Sequence, residues 1–142
     1  MKRFVCLIIL SVIFTACGKK ELDVSEQVRN FMGEWERAVD SQNAVLLDSL
    51  LVRPENSAAI DPQKFLDELF SAPDVKSVNL RGRQFAIGQN QATVSGLLIR
   101  SGIADSMAHL KLILLKTKKG WKLAAYRWES AVPAGNTSRS ST

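Results

Sequence analysis

The residues able to move a proton are few in the C-terminal half of this chain. His109 is the only histidine among 142 residues, and Asp105, Tyr126 and Glu129 are the other titratable groups of interest around it. An acid or a neutral imidazole beside a phenol is the equipment of general acid–base catalysis. Asp105 falls in a predicted loop and Glu129 at a predicted strand end. His109 shares strand parity with Lys111, Ile113 and Leu115, so it could face the interior, where a lone histidine ordinarily makes a structural hydrogen bond. Asp67 and Glu68 are adjacent on a predicted helix and point apart, so they do not work as a pair. One histidine and two cysteines exclude the usual zinc sets. No calcium loop, phosphate loop or nucleophile elbow is written in the chain, so no metal or cofactor is expected. That leaves the thiols of Cys6 and Cys17 as the remaining reactive groups.

Both thiols lie at the amino terminus. Lys2 and Arg3 precede an almost wholly apolar run over residues 4–14, and Thr15, Ala16, Cys17 and Gly18 follow. This is the three-part layout of an export signal. An eleven-residue helix reaches about 17 Å, well short of the roughly 30 Å hydrocarbon core. The stretch Phe14-Thr15-Ala16-Cys17 resembles the lipobox of bacterial lipoproteins, with Phe14 where leucine is usual. The resemblance implies a diacylglyceryl group on Cys17, cleavage just before it, and acylation of the new amino terminus, palmitate being the expected chain. Residues 1–16 are then the signal peptide and 17–22 the lipidated terminus and tether. Cys6 leaves with the signal, so the mature domain has neither a free thiol nor a disulfide. Two or three acyl chains hold a protein firmly at a bilayer where one holds it marginally. In that family an aspartate after the cysteine retains the protein at the inner membrane. Gly18 stands there instead, so the outer membrane, periplasmic side, is expected in a Gram-negative source.

Composition agrees with one exported domain. The chain is 46% hydrophobic and 23% charged, ordinary for a folded protein. The formal charge is +5, and losing Lys2 and Arg3 with the signal leaves +3. That is too little to argue for nucleic acid, which is not an expected partner. Charge is unevenly divided, however. Residues 19–75 carry six basic and twelve acidic side chains, a net −6, and residues 76–142 carry eleven basic and two acidic, a net +9. Either an acidic helical layer attracts a basic sheet, or a basic sheet surface receives an anionic partner.

The elements follow from periodicity. Asp23 with Glu26 reads as a capping box. Val24, Val28, Phe31, Met32, Trp35, Ala38 and Val39 then form the stripe of an amphipathic helix that ends near residues 41–43. Asn43 caps a second, short helix over 44–51. Asp61-Pro62 starts a third, with Phe65, Leu66, Leu69 and Phe70 on its apolar side and Ala72-Pro73 at its end. From Val75 the pattern becomes that of strands. Val78 and Leu80 alternate, then Phe85 and Ile87, with Gly82 between the pairs as a bulge. Further strands are read over 92–100, 107–117 and 121–129, the last two joined by a hairpin at Lys118-Lys119-Gly120. Residues 131–142 have no apolar pattern and read as a disordered tail; the Asn136-Thr137-Ser138 acceptor pattern there is read as chance.

Three N-terminal helices followed by a strand meander give an α+β fold: helices packed on a curved, mainly antiparallel sheet of four strands or slightly more. The order resembles the NTF2-like (cystatin-like cone) superfamily over residues 23–130. The long helix with Phe31 and Trp35, the turn Asp40-Ser41-Gln42-Asn43 and the closing Gly120-Trp121-Lys122-Leu123 carry the resemblance. Leu110, Leu112 and Leu114 point one way on their strand, and Ile113 and Leu115 the other. On the neighbouring strands Leu97 and Ile99 oppose Leu98, and Leu123 opposes Tyr126 and Trp128. Both faces are therefore apolar, and the face without helices needs a cover: the curl of the sheet around a pocket, a second subunit, or the tail. A homodimer or a protein contact through that face is expected. The reading is a membrane-tethered, non-catalytic module that binds a small apolar ligand or a protein partner at the cell envelope. Trp35, Phe65, Tyr126 and Trp128 are the candidate pocket or interface residues. The family resemblance implies two alternatives: a ketosteroid-isomerase- or dehydratase-like enzyme using a pocket acid or His109, or a scaffold component of an envelope or secretion assembly.

Overall fold

A computed structural model describes residues 22–53, 59–102 and 106–129. The signal peptide, Cys17, nearly all of the tether, Pro54, Asp105 and the tail lie outside the described residues.

Helix α1 (Val24–Asp40) buries Val28, Phe31, Met32, Trp35, Ala38 and Val39, the stripe written in its sequence. Its expected capping box does not form, since the Asp23 side chain makes no cap bond. The Gln27 amide reaches back to the Leu22 carbonyl instead, at 2.6 Å. At the other end Gln42 adopts φ +48° and the Asn43 N–H returns to the Ala38 carbonyl at 3.0 Å. Asn43 then accepts from the Leu46 N–H at 3.0 Å and so starts α2 (Ala44–Ser49).

Helix α2 is shorter than its apolar run because the backbone beyond it has a better use. Leu50 and Val52 exchange two hydrogen bonds with Leu123, at 2.8 and 2.9 Å, and Leu51 forms a parallel bridge to it. An edge strand leaves N–H and C=O groups open, and this segment covers part of that edge. Helix α3 (Pro62–Phe70) starts where expected. The Asp61 carboxylate accepts from the Gln63 and Lys64 N–H groups at 2.9 and 3.2 Å, and Pro62 occupies the first turn, where its missing N–H costs nothing.

Strands β1 (Ser77–Ile87), β2 (Gln91–Ser101), β3 (Ser106–Thr117) and β4 (Gly120–Glu129) form one antiparallel meander in sequence order. Leu98, Leu110, Leu112, Leu114 and Leu123 on its inner face are fully buried against the helices. Two extra residues keep that face continuous. In β1 the register steps from Arg81↔Leu97 to Gln84↔Ser95, so Gly82 and Arg83 oppose Gly96 alone. Gly82 takes φ +59°, the bulge expected of it. Leu80 and Phe85, five residues apart, thereby both sit opposite inner-face residues, Leu98 and Val94.

In β4 the register steps from Leu114↔Leu123 to Ile113↔Ala125, leaving Ala124 unpaired. This overturns the parity reading of the strand. Tyr126 pairs with Leu112 and Trp128 with Leu110, so both lie on the same face as Leu123, not opposite it. A single inserted residue inverts side-chain parity, and alternation alone does not show where the insertion falls. Elsewhere the two-sided pattern is as written: Leu97, Ile99, Ile113 and Leu115 are half-buried on the outer face.

The β1 bulge brings backbone close to Gly96. A Cβ there would meet the Arg81 carbonyl oxygen at 2.7 Å and the Leu80 side chain at 3.0 Å, whereas one on Gly33, exposed in mid-α1, would meet nothing within 4 Å. Gly96→Ala should therefore destabilise the domain by about 1–3 kcal/mol, the usual range for overpacking. Gly33→Ala should stabilise it by about 0.5–1 kcal/mol through helix propensity and unfolded-chain entropy. Urea unfolding of the two variants beside the wild type checks both signs.

Candidate functional site

The β4 bulge aims Tyr126 and Trp128 at α3, near the end of the sheet where β2 leaves at Ser101 and β3 begins at Ser106. Phe65 and Glu68 lie three residues apart on α3 and so share one side of the helix. The Phe65 and Tyr126 rings stack with centroids 4.1 Å apart, and Tyr126 meets Trp128 edge to face at 6.4 Å. The Glu68 Oε2 atom accepts from the Tyr126 hydroxyl at 2.8 Å and from the Trp128 indole N–H at 3.0 Å.

Arg100 closes the cluster from β2. It is 8% exposed, and it is the only buried charged residue among those described. Its Nε donates to the Leu69 carbonyl at 2.6 Å and its Nη2 to the Glu68 carbonyl at 3.0 Å. These are carbonyls of the last turn of α3, which have no partner within the helix. The cation also meets the negative end of the helix dipole. Its guanidinium lies 5.2 Å from the Trp128 ring centroid, within cation–π range. Burial draws the Arg100 pKa down from its ordinary value.

Hydrogen bonds and burial shift the Glu68 and Tyr126 pKa values in opposite directions. The Trp128 hydrogen bond is the largest influence on Glu68 and, with the Tyr126 hydrogen bond and the charge of nearby Lys64, keeps its pKa below the ordinary value, against the opposing effect of burial. Burial, then the hydrogen bond and charge of Glu68, push the Tyr126 pKa up to about 12. A carboxylate held ionised and a phenol held neutral are a weak base and a weak acid near neutral pH.

Of the four candidates, the structure brings Phe65, Tyr126 and Trp128 together and leaves Trp35 apart. Trp35 is 2% exposed in the core and borders a cleft of about 150 Å³ between α1 and β1, beside the Glu36–Arg83 ion pair. Its indole N–H is buried with no hydrogen-bond partner among the described residues. His109 does not face the interior. It is exposed on the outer face, opposite Leu97 and Glu129, because Leu110, Leu112 and Leu114 take the inward parity of β3. Glu129 is exposed and lies 3.5 Å from Lys111. No group of three potential metal ligands occurs among the described residues.

Glu68 and Arg100 escaped the sequence reading. Adjacency to Asp67 says nothing of the partner Glu68 finds across the fold, and Asp67 itself accepts from Gln63 at 2.9 Å. The signal for Arg100 was present: Val94, Leu98 and Arg100 share one strand parity, and a charge that continues an inward alternation must find a buried partner.

Tyr126 is the only tyrosine of the chain, so ultraviolet absorbance reads it alone. Its ionisation midpoint should lie near 12 in the folded protein, and Glu68→Gln should lower it only part of the way toward about 10, because burial, the largest cause, remains. The sign for stability follows from the raised pKa. The Tyr126 contribution is fully present below about pH 10 and is lost as pH rises toward 12. Glu68, whose pKa is lowered, contributes above the unfolded carboxylate pKa, and that contribution is lost as pH falls below it. Arg100→Met should cost about 3 kcal/mol by leaving helix carbonyls unpaired, against less than about 0.5 kcal/mol for the exposed Arg81→Met, read by urea unfolding.

Neither a protein-family model nor a curated protein sequence matches the chain. Solved structures do. A ketosteroid-isomerase-like protein from Shewanella frigidimarina superposes with a TM-score of 0.57 at 17% identity, over 75% of this chain and 97% of that one. An NTF2-like protein from Cytophaga hutchinsonii gives 0.58 at 11% identity, over 77% and 99%. An NTF2-like protein of unknown function from Pseudomonas putida gives 0.59 at 9% identity, over 78% and 88%. The described domain therefore has the NTF2-like fold.

Proposed function

We propose that the chain is an exported lipoprotein, anchored through acylated Cys17, whose NTF2-like domain is a non-catalytic binding module that engages a protein partner through the outer face of its sheet. One observation carries the choice of partner over small ligand. Phe65, Tyr126 and Trp128, the candidates for a pocket or an interface, pack on one another and on Glu68. The outer face, by contrast, presents half-buried Leu97, Ile99, Ile113 and Leu115 and a Met107 that is 68% exposed. Apolar side chains in a polar rim are the composition of a recognition surface.

The rim favours an acidic protein over a second copy of this chain. Arg81, Lys111 and Arg127 stand on the outer face, with Glu129 as an acid beside Lys111. Two copies packed sheet to sheet would bring these cations together, whereas an acidic surface would pair with them. No helix among the described residues is long and apolar enough to cross a membrane.

The enzymatic alternative now centres on Glu68, the acid that lies against Tyr126, rather than on His109. A carboxylate already accepting two hydrogen bonds and held below its ordinary pKa suits a positioning role better than that of a general base.

Native mass spectrometry of gently extracted protein tests the reading. The expected result is a chain beginning at acylated Cys17, in a complex heavier than the monomer that Met107→Glu dissociates without changing thermal stability. An unmodified Cys17 would sink the anchor, and a mass equal to two copies would replace the acidic partner with a homodimer. Loss of phenotype in Glu68→Gln or His109→Ala at full stability would favour chemistry.

A further inference from the structure

The anchored end of the domain is the end that carries its hairpin lysines. Leu22, the first described residue, borders one cavity with Lys119, Gly120, Trp121 and Lys122 and another with Gln89, Asn90 and Lys116. The start of α1 is tied there by bonds. Gln27 donates to the Leu22 carbonyl at 2.6 Å and accepts from the Trp121 indole at 3.2 Å. The Lys116 N–H binds the Asn90 carbonyl at 2.8 Å, holding the β1–β2 turn against the β3–β4 hairpin. The chain thus leaves the domain beside both of these turns.

At this end Lys116, Lys118 and Lys119 are exposed and form no ion pair among the described residues. Lys122 donates to the Ser49 carbonyl at 2.6 Å. Lys118, Lys119 and Lys122 also border a groove of about 760 Å³ with Arg53, which pairs with Asp48. The acids nearby are Asp23 and Glu26 in and before the first turn of α1, and Glu34 beside Lys119. The hairpin tip itself bears cations only.

We propose that this end docks on an anionic lipid surface, with Lys116, Lys118, Lys119 and Lys122 against phosphate headgroups. The inference rests on the Cys17 anchor proposed above. Leu22 lies five residue steps beyond Cys17, and a fully extended chain of that length spans about 17 Å. The hairpin end is therefore held within about two screening lengths of the headgroups at physiological salt, where lysines and anionic lipid attract. The opposite end, with Lys76 beside Ser101, faces away from the anchor.

The test uses the full acylated chain in vesicles of phosphatidylcholine alone or with phosphatidylglycerol added. Lysine acetylation by an activated ester is followed peptide by peptide, and the mass of the Cys17 peptide is read in the same digest. Docking slows Lys116, Lys118, Lys119 and Lys122 by about threefold or more on the anionic vesicles, leaves Lys76 unchanged, and is reversed in about 0.5 M salt. Equal rates on the two lipids, with Cys17 acylated, overturn the docking alone. An unacylated Cys17 in a chain that does not float with the vesicles overturns the anchor and the docking with it.

Discussion

One extra residue in β4 sets the geometry of everything above it. A strand alternates strictly, so without a bulge Leu123 and Tyr126 would point to opposite faces. Ala124, left unpaired between Leu123 and Ala125, places Tyr126 and Trp128 inward over Leu112 and Leu110. Without it Glu68 would lose both of its side-chain donors, Phe65 its stacking partner, and Arg100 the ring beneath its guanidinium. The bulge at Gly82 and Arg83 does the same for β1, and it needs a residue at Gly96 with no side chain. Both insertions bend the sheet as they rephase it, which suits a sheet that curves around helices.

Charge in this fold is arranged less by layer than by destination. Among the described residues a single ion pair, Glu36–Arg83, joins the acidic helices to the basic sheet. Arg100 binds helix carbonyls rather than a carboxylate, and Glu68 binds neutral donors. Mutual attraction of the two halves therefore accounts for little of the basic surplus in direct contacts. Among the described residues, Arg81, Lys111 and Arg127 stand on the outer face and Lys116, Lys118, Lys119 and Lys122 at the hairpin end.

Much of the fold was legible because local rules agreed with the global one. The stripe of α1, the Asp61-Pro62 start, the Asn43 cap and the Lys118-Lys119 turn each have a short-range cause, and each appears where it was read. The failures also have physical causes. The Asp23 side chain makes no cap bond, and the nearby Gln27 amide donates to the Leu22 carbonyl rather than capping the helix N–H groups. Residues 50–52 left the helical pattern for the edge of β4, a partner more than seventy positions away. His109 was correctly grouped with Lys111 and Ile113, but parity does not say which face is inner.

Element order, the apolar stripes, the two-faced sheet and a leader that resembles a lipobox are all written in periodicity and short motifs. Strand pairing is what sets the face that Tyr126 and Trp128 take, puts Glu68 and Arg100 at the end of α3, and brings Leu22 beside the hairpin lysines. The reason is that strand register is a property of pairs of strands. A bulge is invisible in one strand until its neighbour shows which residue has no partner.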